Sequence, residues 1–217
     1  MLANLPPVTK ALLVANAGMF LLQSLLGVAA FYPLMLWPLD VGVAAQTAAT
    51  PWSFQPWQLV TYGFLHGGLW HLLFNMLALV MFGAQLEYTW GDRRFLLFYM
   101  TCVVGAGLVQ LVVATWAVSQ GGGAYPTLGA SGGVFGLLLA YGMLFPNQRV
   151  MLLIPPIPMK ARTLVIVFGV MSLFLGVTGT AAGIAHFAHL GGMLFGWLLI
   201  RYWRGQPPFR KSQGRRF

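Results

Sequence analysis

Acidic residues are nearly missing from this chain, which sets three Asp and Glu against 12 Lys and Arg over 217 residues. The three are Asp40, Glu87 and Asp92. No apolar run holds two carboxylates at its centre, which excludes chemistry that needs a pair of them inside a membrane. The H-E-x-x-H pattern of zinc proteases is absent too. A single cysteine, Cys102, lies in an apolar run and excludes an intrachain disulfide. Charge of either sign is scarce, at 7% of residues, whereas 59% are apolar and the mean hydropathy is +0.77. An ordinary soluble domain does not have this composition. The chain reads as a membrane protein that crosses the bilayer several times.

Apolar runs of about 20 residues, broken by Pro, Gly or charge, mark the crossings. Six lie near residues 11–33, 69–88, 94–118, 131–145, 163–178 and 184–203. No repeat or composition shift divides them, so the expected fold is an all-α bundle of six transmembrane helices in one domain, 1–217, with a basic tail at 204–217. The first run is too long for a cleaved signal and reads as a retained anchor. Lys and Arg near helix ends hold their side in the cytoplasm. With a cytoplasmic N-terminus, the inside segments take Lys10; Arg93 and Arg94; Arg149, Lys160 and Arg162; and Arg201, Arg204, Arg210, Lys211, Arg215 and Arg216. All 12 basic residues are then accounted for, and the outside segments 34–68, 119–130 and 179–183 hold none. An odd number of spans breaks that pattern, so both termini are expected in the cytoplasm. The net charge of +9 then reflects topology and attraction to the anionic bilayer surface rather than nucleic-acid binding.

Orientation turns the spans into rulers at about 1.5 Å per residue. The fourth span, ending before Pro146, is only about 22 Å long against a hydrocarbon core of about 30 Å. With its inner end at the interface, Ser131 falls about 10 Å below the outer surface. His189 lies twelve residues before Arg201, and Asn75 lies twelve before Glu87. Polar groups from three spans therefore share roughly one depth, and intramembrane polar groups face a bundle interior or a water-filled cavity. A serine hydroxyl becomes a useful nucleophile beside a base, and neutral imidazole is the usual one. The literal G-x-S-x-G of soluble hydrolases needs a strand-turn-helix in an α/β sheet, which this composition does not provide.

Small residues let the two helices approach: Gly132, Gly133 and Gly136 on the fourth span, Gly192 and Gly196 on the sixth. The carboxylates lie far from this depth, so the expected arrangement is a Ser-His dyad without an acid. His71 and Asn75 are i and i+4 on one helix face. With the Ser131 backbone N–H they are candidates to hold a developing oxyanion. The bland alternatives are helix packing for the glycines and interhelical hydrogen bonding for His71 and Asn75. The four histidines, His66, His71, His186 and His189, could also bind a metal without any carboxylate, but no metal or cofactor is expected.

The stretches "WHLLFN", "GASGGVFG" and "AHLGGMLFG" resemble the three signatures of the rhomboid family of intramembrane serine proteases, in the family's order and spacing. The resemblance implies that Ser131 is the nucleophile and His189 the general base, with His71 and Asn75 assisting the oxyanion. Gly129, Gly132, Phe135, His186, Gly192 and Gly196 are the supporting residues. It makes "EYTWG" the family's E-x-x-x-G, with Glu87 structural, and "PWSFQPWQLVTYGFLHGG" its first, partly embedded loop. Two positions depart from the pattern. Trp57-Gln58 stands where Trp-Arg is frequent, and Phe135 stands where some members carry tyrosine.

The implied activity is hydrolysis of peptide bonds in or near transmembrane segments of other membrane proteins. The implied setting is a bacterial cytoplasmic membrane, with the site open to its outer side, where water enters. The partners expected are transmembrane substrates and the lipid bilayer. Substrate helices must unwind locally to expose their carbonyls, which favours Gly near the cut. A non-proteolytic, client-binding rhomboid-like protein or a small transporter using the same polar cavity is the alternative.

Overall fold

The computed structural model describes residues 4–39, 52–151, 156–179 and 185–208. Asp40 and the tail cations Arg210, Lys211, Arg215 and Arg216 lie outside the described residues. Six principal helices follow in chain order: α1 Pro7–Leu26, α2 Leu69–Trp90, α3 Asp92–Ser119, α4 Ser131–Leu144, α5 Ala161–Thr178 and α6 His186–Trp203. Of these, α1, α2, α3 and α5 are long and apolar enough to cross a membrane. α4 is shorter, at 14 residues, and α6 spends part of its length on His186, His189 and Arg201. A two-stranded antiparallel hairpin, β1 Arg149–Met151 and β2 Pro158–Lys160, joins α4 to α5. The fold is that of an all-α membrane protein.

The first helix differs from the expected 11–33. It starts at Pro7, whose missing N–H is no loss in a first turn, and stops at Gly27, whose φ of 82° turns the chain. Val28–Leu34 continues as a 3₁₀ segment containing Pro33. The side chains of α1 are arranged inside out, because the solvent is lipid. Its buried residues are Thr9, Leu12, Asn16 and Gln23, while Val14, Leu21, Leu25 and Leu26 are exposed.

Glu87, only 1% exposed, reaches α1 from the far end of α2. Its carboxylate accepts hydrogen bonds from the Val8 N–H, the Thr9 N–H and the Thr9 hydroxyl, each at 2.7 Å. A carboxylate at a helix N-terminus takes up orphan N–H groups and meets the positive end of the dipole. The expected structural role of Glu87 thus has a partner: it caps α1. Within α2 the backbone passes through a π turn at Leu79–Gly83, which changes the helix phase between His71 and Glu87.

α3, α4 and α6 form the centre, with α3 packed on both of the others. Phe95, Phe98, Tyr99, Cys102 and Leu137 are among the fully buried residues there. α5 packs on α4, α6 and the hairpin at one flank.

Candidate active site

Ser131 is the first residue of α4, so its position depends on the loop before it. That loop is pinned twice. Thr127 exchanges backbone hydrogen bonds with Leu36 at 2.8 and 2.9 Å, and the Gly129 N–H donates to the Tyr62 carbonyl at 2.9 Å. Gly129 has a φ of 134°, and a Cβ there would sit 2.9 Å from His71 Nε2 and 3.7 Å from Ser131 Oγ. Only glycine leaves that space open, and it lies between the His71 ring and the serine.

His189 is held by backbone contact between α4 and α6. A Cβ on Gly192 would collide with the Gly132 carbonyl, and one on Gly136 would collide with Cys102 Sγ. Gly196 faces Phe98 and Cys102 at 2.9 and 3.0 Å from such a Cβ. Gly192 thus lets α6 close on α4, Gly136 and Gly196 let the pair close on α3, and His189 Nε2 stands 2.9 Å from Ser131 Oγ. Phe135, one helical turn after Ser131, stacks on the His189 ring with centroids 4.0 Å apart and planes 9° apart. His186 meets that ring edge-on at 5.9 Å. Among the described residues nothing hydrogen-bonds His189 Nδ1. Nor do three of His, Cys, Asp and Glu come together there in a way that could hold a metal.

His71 and Asn75 sit on the facing side. The Gly67 N–H approaches His71 Nδ1 at 3.4 Å, which favours a tautomer with the proton on Nε2, the nitrogen nearest Gly129. Asn75 is buried, and its Nδ2 donates to the His71 carbonyl at 2.9 Å, leaving its second N–H uncommitted. Tyr62, His71, Asn75, Ser131, Phe135 and His189 all line one cavity of about 1260 Å³. The cavity runs on over α4 between α2, at Met81 and Phe82, and α5, at Leu164 and Phe168, as far as Val150 and Met151 of β1. Ser131, His189, His71 and Asn75 thus line one space.

Residues 53–205 match the Rhomboid domain family. The chain belongs to the rhomboid family. It is 33% identical over 154 residues to rhomboid protein 1, mitochondrial, of Saccharomyces cerevisiae, covering 66% of this chain and 42% of the relative. It is 34% identical over 146 residues to RHOMBOID-like protein 4 of Arabidopsis thaliana, covering 66% and 33%. With the rhomboid protease GluP of Bacillus subtilis the identity is 32% over 140 residues, covering 64% and 24%. The chain spans under half the length of each of these relatives. Family membership makes it a multi-pass membrane protein; with relatives in mitochondria, plants and bacteria, it does not select a particular membrane.

In this rhomboid chain the position of the frequent Trp-Arg is filled without a charge. Gln58, 1% exposed, accepts from the Trp37 and Gln55 N–H groups at 3.1 and 3.2 Å and donates to the Pro33 carbonyl at 3.2 Å. Trp57 Nε1 donates to the same carbonyl at 3.0 Å. Neutral hydrogen bonds from Gln58 and Trp57 brace the loop at this position.

Sequence reasoning missed a second brace. Gln23 on α1 accepts from the His66 N–H at 3.0 Å and donates to the His66 carbonyl at 3.4 Å, fixing the backbone next to Gly67. A lone Gln in an apolar run was the available signal, since such a residue is costly in lipid and needs a partner. Burial pushes the His66 imidazole, in the loop before α2, down to about 4, with His71 adding to the shift.

Proposed function

We propose that this rhomboid chain is an intramembrane serine protease that cleaves peptide bonds in or near transmembrane segments, with Ser131 and His189 as a catalytic dyad. The observation that carries the reading is the 2.9 Å approach of Ser131 Oγ to His189 Nε2 at the wall of a cavity large enough for an unwound segment. As the serine oxygen attacks the scissile carbonyl carbon, its proton passes to His189 Nε2. Negative charge collects on the carbonyl oxygen, where the His71 Nε2–H, the free Asn75 N–H and the Ser131 backbone N–H are the available donors. Collapse expels the amine, which takes the proton from His189 and leaves an ester on Ser131. Water, deprotonated by His189, then releases the acid and restores the hydroxyl. Phe135 stacking keeps the imidazole in plane throughout, which an acid does in a triad.

The cleft between α2 and α5 is the path for the substrate segment, since it leads from the lipid-facing flank to Ser131. Six spans with both ends in the cytoplasm place the dyad toward the outer side, in line with the distribution of Lys and Arg. The test is covalent. A fluorophosphonate probe should label the purified wild-type chain at Ser131, and Ser131→Ala should lose both the label and cleavage of a reconstituted transmembrane substrate. Full cleavage by Ser131→Ala would end the protease assignment, and an unlabelled, inactive wild type would favour a client-binding protein.

A further inference from the structure

The hairpin between α4 and α5 carries chemistry that peptide hydrolysis does not use. Its register sets Arg149 opposite Lys160, Val150 opposite Met159 and Met151 opposite Pro158. Alternation along a strand gives the two faces different tasks. Val150 packs into the core with Met159 against it, while Arg149, Met151, Pro158 and Lys160 face outward. Like charges directly opposite one another destabilise a strand pair. Arg162, exposed in the first turn of α5, adds a third cation within two residues of Lys160. Among the described residues none of the three has an ion pair or a side-chain hydrogen bond.

The first N–H groups of α5 are not open to a ligand, because Ala161 and Arg162 donate to the Gln148 and Pro146 carbonyls at 2.8 and 3.2 Å. What lacks a partner is the set of side-chain cations. The outward face also grades along its length from these cations to apolar groups, with Met151 52% and Ile157 46% exposed next to them. Cations beside exposed apolar side chains are the profile of an element seated at a bilayer surface. Meanwhile Val150 and Met151 line the same cavity as Ser131.

We propose that this hairpin is an anionic-lipid sensor: Arg149, Lys160 and Arg162 take the phosphate of an anionic phospholipid, and that contact holds Val150 and Met151 as the far wall of the substrate cleft. The chemistry is charge neutralisation of a like-charged strand pair by a phosphodiester, while the exposed Met151 and Ile157 side chains meet the acyl region. Its effect on cleavage rests on the protease reading above, and binding itself does not.

The test uses the full chain in vesicles of phosphatidylcholine with rising phosphatidylglycerol. One readout is the emission of a bimane label on Met151→Cys, and the other is the KM and kcat for a co-reconstituted transmembrane substrate. Each basic side chain at an anionic surface contributes about fivefold in occupancy. Phosphatidylglycerol should shift the bimane emission and lower KM about fivefold or more, with kcat nearly unchanged. Arg149→Gln and Lys160→Gln should each raise the phosphatidylglycerol fraction at the midpoint by about fivefold, whereas Arg210→Gln in the tail should not.

An unresponsive bimane label, variants that respond as wild type, or an equal effect of the tail substitution would overturn the proposal. An equal effect of inorganic phosphate in phosphatidylcholine vesicles would overturn the lipid as ligand. A KM response that instead follows acidic residues placed at the inner end of the substrate would assign the cations to substrate recognition. A responsive bimane label on a chain that cleaves in no vesicle would leave the lipid contact standing, overturn its link to substrate and refute the protease reading.

Discussion

The α4–α6 seam and the α5 flank solve opposite problems with the same apolar alphabet. At the seam, Gly132 and Gly192 bring two backbones into contact, and no side chain can be added to either without moving a helix. On the flank, only Ala161, Leu164 and Ser172 of α5 are buried, whereas α3 buries residues along its whole length from Phe95 to Val118. Ile166, Val170, Phe174 and Val177 all lie more than half exposed. Lipid solvates Leu and Phe as well as a protein core does, so apolar exposure carries little penalty here and packing alone decides what is fixed. Rigid packing sits where Ser131 Oγ and His189 Nε2 are held 2.9 Å apart, the pair that the proposed mechanism uses for proton transfer. Sparse packing borders the cleft that the proposed function gives to the substrate segment.

The largest expected effect sharpens the fixed side of the contrast. Removing a positioned oxyanion donor lowers kcat by about 10²–10³, whereas an interhelical polar contact in a membrane averages about 0.6 kcal/mol. Asn75 bonds only within its own helix through Nδ2, so Asn75→Ala should be slow and nearly as stable as wild type in kinetics paired with thermal unfolding. A destabilised enzyme with wild-type kcat would remove Asn75 from the site.

Next comes the seam itself. Gly192→Ala forces α6 away from the Gly132 carbonyl, and a displacement of about 1 Å at reacting groups can lower the rate by about 10²-fold. Gly176→Ala on α5, where neighbouring side chains stand 3.2 Å from the new Cβ, should cost far less. Equal losses would break the contrast.

A smaller effect concerns pH. His66 is held near 4 in the folded chain and titrates near 6.5 once unfolded. Between those values the unfolded state binds a proton that the folded state refuses, so stability falls as pH drops from about 6.5 toward 4. His66→Phe removes that share, and its melting temperature should fall less between pH 7 and pH 5 than that of wild type. An unchanged pH dependence would refute the burial of His66 as neutral imidazole. The smallest effect belongs to the flank: Phe174→Ala, 62% exposed in wild type, should shift stability by no more than about 0.5 kcal/mol and leave kcat intact.

The sequence carried the parts of this architecture that repeat along a helix or follow from depth. Ser131 and His189 could be set at one level by counting residues from the interface, but of the glycines expected to join α4 to α6 only Gly192 has its closest approach there, at Gly132, whereas Gly132, Gly133, Gly136 and Gly196 make room for Ala106, Tyr99, Cys102 and Phe98 of α3. What it did not carry are partners far apart in the chain and local departures from regular geometry. The π turn at Leu79–Gly83 consists of ordinary helix-compatible residues. The hairpin strands are three residues each, too short for alternation to be visible. Gln58 was read as a missing charge, whereas buried backbone groups only require a donor and acceptor of the right reach, which a neutral amide supplies. The inner face of α1 was hidden because Thr, Asn and Gln in an apolar run do not announce which neighbour they will meet.

The cap that Glu87 places on α1 has a consequence in time. The first-turn N–H groups of α1 and their acceptor are 78 and 79 residues apart. At synthesis rates of about 5–20 residues per second, the completed α1 exists for roughly 3–12 s before its cap has been made. During that interval the Glu87 carboxylate does not yet exist, so the first-turn N–H groups of Val8 and Thr9 depend on water for their acceptors. Only the arrival of the inner end of α2 lets that turn settle against the bundle. Assembly of this protein therefore has a built-in order, in which the second crossing completes the first.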